Sequence, residues 1–144
     1  MFTLAKVLAE ADKNGCRAET DEFLRLAGSF SLHSKAKKHS IMITPPQNEN
    51  VFLFTLWPGT VKDCLGNLYI EVAVWTLKAG KSWDKYLGIK SAELINSLVP
   101  VFEYYEYSYG DSEYTVLRKC IDSSNLRQAI EKLEKILSRG GQES

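Results

Sequence analysis

The sequence lacks the short motifs that mark the common catalytic classes. It has no Gly-x-Ser-x-Gly elbow, no Gly-x-x-x-x-Gly-Lys phosphate loop, no Gly-x-Gly-x-x-Gly turn and no His-x-x-x-His pair. Histidine is also scarce, because His33 and His39 are the only two and have no acidic or thiol neighbour in the chain. A nucleophile that needs a histidine would have to take it from this one segment. These absences favour a non-enzymatic protein with no cofactor and no metal site.

Cysteines are few, and long apolar runs are missing. Cys16, Cys64 and Cys120 lie far apart, and no Cys-x-x-Cys pair or Cys/His cluster has the spacing of a zinc site. We interpret them as three reduced thiols in a cytosolic protein. Charged residues interrupt the N-terminal segment from Lys6 onward, and no stretch approaches the length of a membrane span. The sequence therefore predicts a cytoplasmic protein without membrane contact.

No charge of one sign predominates. Lys and Arg number 18, as do Asp and Glu, so no global field favours nucleic acid or an anionic surface. The one basic run contains Lys35, Lys37 and Lys38, and we interpret it as a solvated connector. As an alternative, this basic patch holds a phosphate or an acidic partner and gives weak nucleic-acid binding. Nucleic acid is not the expected partner.

The chain does contain enough apolar material for one core, since 44% of its 144 residues are hydrophobic. We predict a single α+β domain over residues 1–139 and a disordered tail over 140–144. The sheet should have about five strands, mostly antiparallel, with helices chiefly on one face and the order α-α-β-β-β-α-β-β-α. Helices are predicted in 4–14, 21–27 and 123–139, and a further helix within 83–99 is clearest at 91–99, with Gly88 as a break before it. Strands are predicted in 41–44, 51–57, 68–77, 101–109 and 113–121.

The strongest strand pattern lies in residues 68–77, which are rich in β-branched and aromatic side chains. Period-two alternation predicts that one of its faces belongs to the core. The other face has a single carboxylate between two aromatic side chains, so we expect function on that side. The core face comprises Leu68, Ile70, Val72 and Val74, and the other face comprises Tyr69, Glu71, Ala73 and Trp75.

A second aromatic segment occupies residues 101–109, where tyrosines alternate with glutamate. Tyrosine is favoured at interfaces because its ring can be buried while its hydroxyl stays hydrated. Such an arm is typical of a dimer face, a ligand wall or a base-stacking surface, but interleaved glutamates argue against nucleic acid. The predicted ligand or partner face comprises Tyr69, Glu71, Trp75, Tyr105, Tyr107 and Tyr109.

The resulting hypothesis is a small cytosolic binding module that uses this aromatic face for homodimerisation, a protein partner or a small ligand. The order of elements is also similar to two known architectures. One is that of small secretion chaperones and related dimeric α+β modules. The other is the α-βββ-α-β core of metal-dependent nucleases, which implies a metal held by Asp63 and Glu71. The lysine expected two residues after Glu71 is replaced by Ala73, so this alternative is a degenerate nuclease-like fold.

Overall fold

The computed structural model describes residues 1–140, and within them five α-helices pack on a six-stranded antiparallel sheet. The helices are α1 (Leu4–Asn14), α2 (Arg17–Ser29), α3 (Ser82–Leu87), α4 (Ser91–Leu98) and α5 (Leu126–Gly140). The strands are β1 (His33–Ala36), β2 (Ile41–Thr44), β3 (Phe54–Pro58), β4 (Leu68–Thr76), β5 (Glu103–Tyr109) and β6 (Ser112–Ile121). A short 3₁₀ turn, Lys62–Cys64, lies between β3 and β4. The predicted α+β class is confirmed.

The sheet has the strand order β1-β2-β3-β4-β6-β5, with every neighbouring pair antiparallel. The predicted number of strands, five, is one too few. His33–Ala36, which belongs to the segment interpreted as a solvated connector, pairs with β2 as an edge strand. A tight turn joins the two strands, with the Lys37 amide donating to the Ser40 carbonyl at 2.8 Å. Backbone pairing forms this strand, and the solvent beside an edge tolerates its polar side chains. The sequence of this strand has no alternation of apolar residues that would indicate it.

The helices all contribute to one core on a single face of the sheet. The β4 residues predicted to face this core, Leu68, Ile70, Val72 and Val74, are between 0 and 6% exposed. Buried side chains from every helix belong to the same cluster. Examples are Val7, Phe23, Trp83, Leu94 and Leu133. The predicted placement of helices on one face is confirmed, and it leaves the opposite face of the sheet without a helical layer among the described residues.

The ends of the first two helices follow capping rules only in part. Thr3 caps α1 by accepting from the Lys6 amide at 3.3 Å, and Gly15 ends the helix at a φ of 78°, both as expected. Thr20, however, does not cap α2, which begins one turn earlier at Arg17. Its buried hydroxyl instead donates to the Cys16 carbonyl at 2.8 Å. The two acids that follow Thr20 therefore lie beyond the first residues of α2.

The interpretation of three reduced thiols is wrong for two of them. Cys64 and Cys120 form a disulfide that joins the loop before β4 to the end of β6, with a Cα–Cα distance of 5.7 Å. Cys16 is free and buried. Distance along the chain concealed the pair, since the two residues are 56 positions apart and meet only through the sheet. Because disulfides persist chiefly in oxidising compartments, the bond weighs against a cytoplasmic location.

The last helix extends slightly further than the sequence predicts. Gly140 falls in the predicted tail but is the final described residue of α5, and residues 141–144 lie outside the described part of the chain. Between β4 and β5, Gly88 adopts a φ of 70° and separates α3 from α4, which confirms the predicted break. The segment before the break, which the sequence does not predict as a helix of its own, forms α3. No helix within residues 1–140 combines the length and the apolar character needed to cross a bilayer.

Candidate binding face

The face of the sheet opposite the helices is called the open face here. Directly paired residues of an antiparallel sheet share a face, so the strand registers identify its central row. In sheet order the row consists of Lys35, Met42, Thr55, Glu71, Arg118 and Glu103. Several residues of this face are buried although no helix covers them, including Thr55 and Glu71 at 3% and 6% exposed. Other side chains of the open face must therefore cover them.

Glu71 lies at the centre of the open face and both of its carboxylate oxygens are bonded. Oε1 accepts from the Tyr107 hydroxyl at 2.8 Å, and Oε2 accepts from the Tyr69 hydroxyl at 3.1 Å. Arg118 is its directly paired neighbour on β6 and supplies a nearby positive charge. A carboxylate that accepts two hydroxyl donors can be buried at moderate cost. Glu71 thus organises the tyrosines around it.

Burial is the main cause of the pKa shifts of Glu71, Tyr69 and Tyr107. It raises the pKa of Glu71 above the ordinary glutamate value, although the hydroxyls of Tyr107 and Tyr69 and the charge of Arg118 act in the opposite direction. Burial and the adjacent carboxylate also raise the pKa of both tyrosines. Neither phenol therefore ionises near neutral pH, and each remains a hydrogen-bond donor to Glu71.

Arg118 connects the centre of the face to its outer strand. Its guanidinium carbon lies 3.5 Å from the centre of the Tyr105 ring, and its Nη2 donates to Glu103 at 3.0 Å. A guanidinium stacked on an aromatic ring while bonded to a carboxylate has little remaining rotational freedom. Arg118 is consequently held in place and its charge is largely matched by Glu103 and Glu71.

The aromatic side chains of the open face form a ladder. Tyr105 stacks on Tyr107 with 5.7 Å between ring centres, and Tyr107 stacks on Tyr114 at 4.9 Å. Tyr114 in turn meets Phe52 at 6.5 Å in a tilted arrangement. The tyrosine ladder, defined as Tyr105, Tyr107, Tyr114 and Phe52, therefore runs from the outer strand β5 toward the loop before β3.

Two clefts flank this arrangement. The first has a volume of about 360 Å³ and lies at the disulfide. Its lining residues include two carboxylates and two cationic side chains, namely Asp63, Glu103, Arg118 and Lys119. The second has a volume of about 280 Å³ and lies at the Phe52 end of the ladder. The first cleft is thus balanced in charge, whereas the second is lined by Lys37 and Lys78 and by no acid.

Four of the six residues predicted for the functional face come together on it: Tyr69, Glu71, Tyr105 and Tyr107. Trp75 does not join them, because the β4–β6 register shifts between Ala73 and Trp75. Ala73 pairs with Val116 but Trp75 pairs with the adjacent Thr115, so the β-bulge changes the phase of alternation.

Tyr109 lies at the hairpin end of β5, where it is 79% exposed. It continues the alternation of Tyr105 and Tyr107 along the strand. The predicted face therefore extends to the tip of the hairpin, but no ring contact ties Tyr109 to the ladder among the described residues.

Sequence reasoning missed other members of the open face. Tyr114 and Phe52 complete the ladder, and Trp57 packs against Tyr69 with 5.8 Å between ring centres. The alternation of β6 carried a usable signal for Tyr114, since hairpin register places it opposite Tyr107. Phe52 falls in the predicted strand 51–57, but β3 begins at Phe54. Strand alternation therefore does not assign a face to Phe52, which lies in the irregular segment before β3.

The residues of the nuclease-like alternative do not form a metal centre. Asp63 lines the first cleft, but Glu71 is not among the lining residues of that cleft. Within residues 1–140, no three His, Cys, Asp or Glu side chains gather closely enough to hold a metal ion. Both oxygens of Glu71 are in addition occupied by tyrosine hydroxyls.

Two lysines of the basic patch, Lys35 and Lys37, lie at the second cleft, Lys35 through its bond to Asn50. Lys35 lies on β1 in the central row and its Nζ bonds to Asn50 at 3.2 Å, while Lys37 lines the second cleft and Lys38 is exposed in the turn after β1. The arginines that could extend the patch are paired with acids. These pairs are Arg17 with Asp12 and Asp21, Arg25 with Glu22, and Arg118 with Glu103. A continuous phosphate-binding track is therefore not present in the described residues.

Comparison of the chain with protein-family models, with curated proteins and with solved structures found no match in any of the three.

Proposed function

We propose that the protein is a binding module that captures an extended segment of a protein partner along the edge of β5. In this proposal the partner adds a strand to the sheet, and its side chains pack on the tyrosine ladder. The observation that carries the proposal is β5 itself, a seven-residue edge strand in which every residue except Tyr107 is exposed. The proposal assigns no catalytic role to the chain.

The edge of β5 has few of the features that prevent strand addition. An edge strand presents unpaired N–H and C=O groups, and proteins commonly protect them with lysine, proline, bulges or short strands. β5 has neither lysine nor proline, and it pairs with β6 over all seven residues without a register shift. The opposite edge, β1, is four residues long and contains Lys35. Strand addition is therefore favoured at β5 over β1.

The charge of the β5–β6 hairpin favours a cationic partner. The hairpin spans residues 103–121 and contains four acids and two cationic residues. The acids are Glu103, Glu106, Asp111 and Glu113. The cationic residues, Arg118 and Lys119, lie toward the end of β6 away from the hairpin tip, and Arg118 pairs with Glu103. A second copy of the chain paired at this edge would bring like charges together, whereas a segment with Lys or Arg would be attracted. The homodimer expected from the sequence stays a prediction, and we favour a heterologous segment at β5.

The ladder supports this choice because it is already organised before binding. The Tyr107 hydroxyl is fixed on Glu71, and Tyr105 is held between Arg118 and Tyr107. Side chains that are ordered in the free protein lose little rotamer entropy when a partner packs on them. Rigid tyrosines are also typical of the residues that dominate binding energy at interfaces. An incoming segment would therefore find a fixed aromatic surface beside the free edge.

A peptide titration tests the proposal. The probe is a fluorescent-labelled eight-residue peptide of alternating lysine and valine, with a matched peptide in which glutamate replaces lysine. We expect the lysine peptide to bind and the glutamate peptide to bind at least tenfold more weakly. Glu106→Lys should weaken binding of the lysine peptide, because Glu106 is exposed on β5. Glu131→Lys makes the same charge change on exposed α5 and is the control.

Equal binding of the two peptides, or equal effects of Glu106→Lys and Glu131→Lys, would overturn the charge argument. Absence of binding by both peptides would overturn strand capture at β5. Thermal unfolding of each variant confirms that both exposed substitutions leave the fold intact.

A further inference from the structure

The second cleft of the open face is lined in part by lysines that have no role in the proposed binding at β5. Polar, aromatic and aliphatic side chains from five segments line it. The lining residues are Lys37, Met42, Asn50, Val51, Phe52, Thr76, Leu77, Lys78, Ala79, Ser112 and Tyr114. The cleft has a volume of about 280 Å³, which suits part or all of a small molecule rather than a protein segment.

The charge of the cleft has one sign. Lys37 and Lys78 are both lining residues, and none of the lining residues is acidic. Lys35 adds a third cation at the rim through its bond to Asn50 at 3.2 Å. Glu113 lies between two lining residues on β6, so strand alternation directs its side chain to the other face. The cleft is thus positively charged, unlike the balanced cleft at the disulfide.

One wall of the cleft is aromatic, and Tyr107 packs against it. Phe52 and Tyr114 have ring centres 6.5 Å apart and planes inclined by 38°, while Tyr114 and Tyr107 lie at 4.9 Å and 13°. Tyr107 therefore supports Tyr114 on one side, and both Tyr114 and Phe52 line the cleft. The Phe52 carbonyl accepts from the Ser82 hydroxyl at 2.9 Å, which anchors the backbone of this wall.

The turn that carries Lys78 is also ordered. Thr76 and Gly80 exchange two backbone hydrogen bonds, at 3.0 and 2.7 Å. The Thr76 hydroxyl in addition accepts from the Ala79 amide at 3.0 Å. A turn closed by three hydrogen bonds fixes the backbone that carries Lys78. The backbone on the cationic side of the cleft and the aromatic wall are therefore both ordered without a ligand.

We propose that this cleft binds a small aromatic anion. The ring of the ligand packs on Phe52 and Tyr114, and its anionic group is bound by the ammonium groups of Lys37 and Lys78. An aromatic carboxylate and a nucleoside monophosphate share this chemistry, and the test distinguishes them. The inference shares Phe52 and Tyr114 with the tyrosine ladder but uses neither the free edge of β5 nor the acids of the hairpin. Strand capture at β5 and anion binding in the cleft can therefore fail separately.

Backbone amide shifts measured by NMR test the inference with four probes. These are adenosine monophosphate, 1-naphthoate, inorganic phosphate and uncharged 1-naphthol. We expect at least one of the two aromatic anions to shift the amides of the lining residues, and to bind at least fivefold more tightly than phosphate or naphthol. Binding by only one of them identifies the anionic group as phosphate or carboxylate.

Two substitutions assign the binding to the cleft. Lys78→Gln should weaken the aromatic anion at least fivefold, whereas Lys6→Gln, an exposed lysine on α1, should leave it unchanged. Phe52→Leu should weaken the anion while leaving any phosphate binding unchanged.

Three results would overturn the proposal. The first is no shift with either aromatic anion, and the second is phosphate or naphthol binding as tightly as they do. The third is equal effects of Lys78→Gln and Lys6→Gln. Both lysine substitutions retain a long polar side chain at a surface position, so loss of folding would not confuse the comparison.

Discussion

The hydroxyl of Tyr107 on β5 donates to the carboxylate of Glu71 on β4 at 2.8 Å, across the intervening strand β6. This bond links the outermost strand to the centre of the sheet on the face that has no helical layer. It also helps explain how Val116, on β6 between them, is fully buried without a helix above it. The tyrosine ladder thus acts as the cover of the open face.

Removal of this hydroxyl should destabilise the fold. In Tyr107→Phe the buried carboxylate of Glu71 loses its shorter hydrogen bond, and a bond to a charged group contributes about 1.5–3 kcal/mol. We expect the free energy of unfolding in urea to fall by about that amount. Tyr104→Phe is the matched control, because its hydroxyl bonds to Glu106 at an exposed position and should change stability by less than about 0.5 kcal/mol. Equal losses in the two variants would contradict the role given to Glu71.

Glu71 should give the fold a characteristic pH dependence. Burial raises its pKa in the native state, so the native protein holds the proton to a higher pH than the unfolded chain does. The contribution of Glu71 is then full below the ordinary glutamate pKa of about 4.3 and is lost as pH rises through the raised native pKa. Glu71→Gln removes the titration. The free energy of unfolding of the wild type minus that of the variant should therefore decrease with rising pH.

Chemical denaturation over a series of pH values checks this prediction. Glu131→Gln makes the same substitution on the exposed face of α5 and is the control for the change of side chain. A difference for Glu71→Gln that grows with rising pH would mean that the native pKa is lowered, and would refute the account of burial.

The Cys64–Cys120 disulfide should contribute strongly to stability. It closes a loop across 56 positions, for which the chain-entropy relation gives about 4 kcal/mol. Reduction, or replacement of both cysteines by alanine, should lower the unfolding midpoint by a corresponding amount. Thiol counting in denaturant should find one free thiol, that of Cys16, in the oxidised protein. Three free thiols in protein that has never met reductant would contradict the bond.

The core on the helical face should respond to truncation as a close-packed interior does. Leu133 on α5 is fully buried, and Leu133→Ala should cost about 2–5 kcal/mol through lost burial and a residual cavity. Leu65 is 67% exposed, so Leu65→Ala should change stability by less than about 0.5 kcal/mol. Urea unfolding of the two variants provides the comparison. A small effect at Leu133 would mean that α5 does not pack on the sheet as described.

Much of this fold follows from periodic patterns in the sequence. The alternation of Leu68, Ile70, Val72 and Val74 predicts the buried face of β4, and the predicted placement of the helices chiefly on one face agrees with the single core. Such patterns report which side of an element avoids water. They do not report features that arise without burial, so the sequence of the exposed edge strand β1 predicts a connector.

The candidate site was predictable only where alternation continued undisturbed. It placed Tyr69 with Glu71 and Tyr105 with Tyr107, but a β-bulge moves Trp75 out of phase, and no local signal marks the extra residue. Phe52 and the pairing of Cys64 with Cys120 depend on contacts between distant segments. Those contacts exist only once the strand order is known.

Amide hydrogen exchange of β5 with and without the lysine–valine peptide is the most direct test of strand capture. Strand addition pairs the outward-facing amides of an edge strand, which are those of alternate residues. We predict that the peptide slows exchange at every second residue between Glu103 and Tyr109 and leaves β1 unchanged. Slower exchange at β1, or no change along β5 at saturating peptide, would contradict the account.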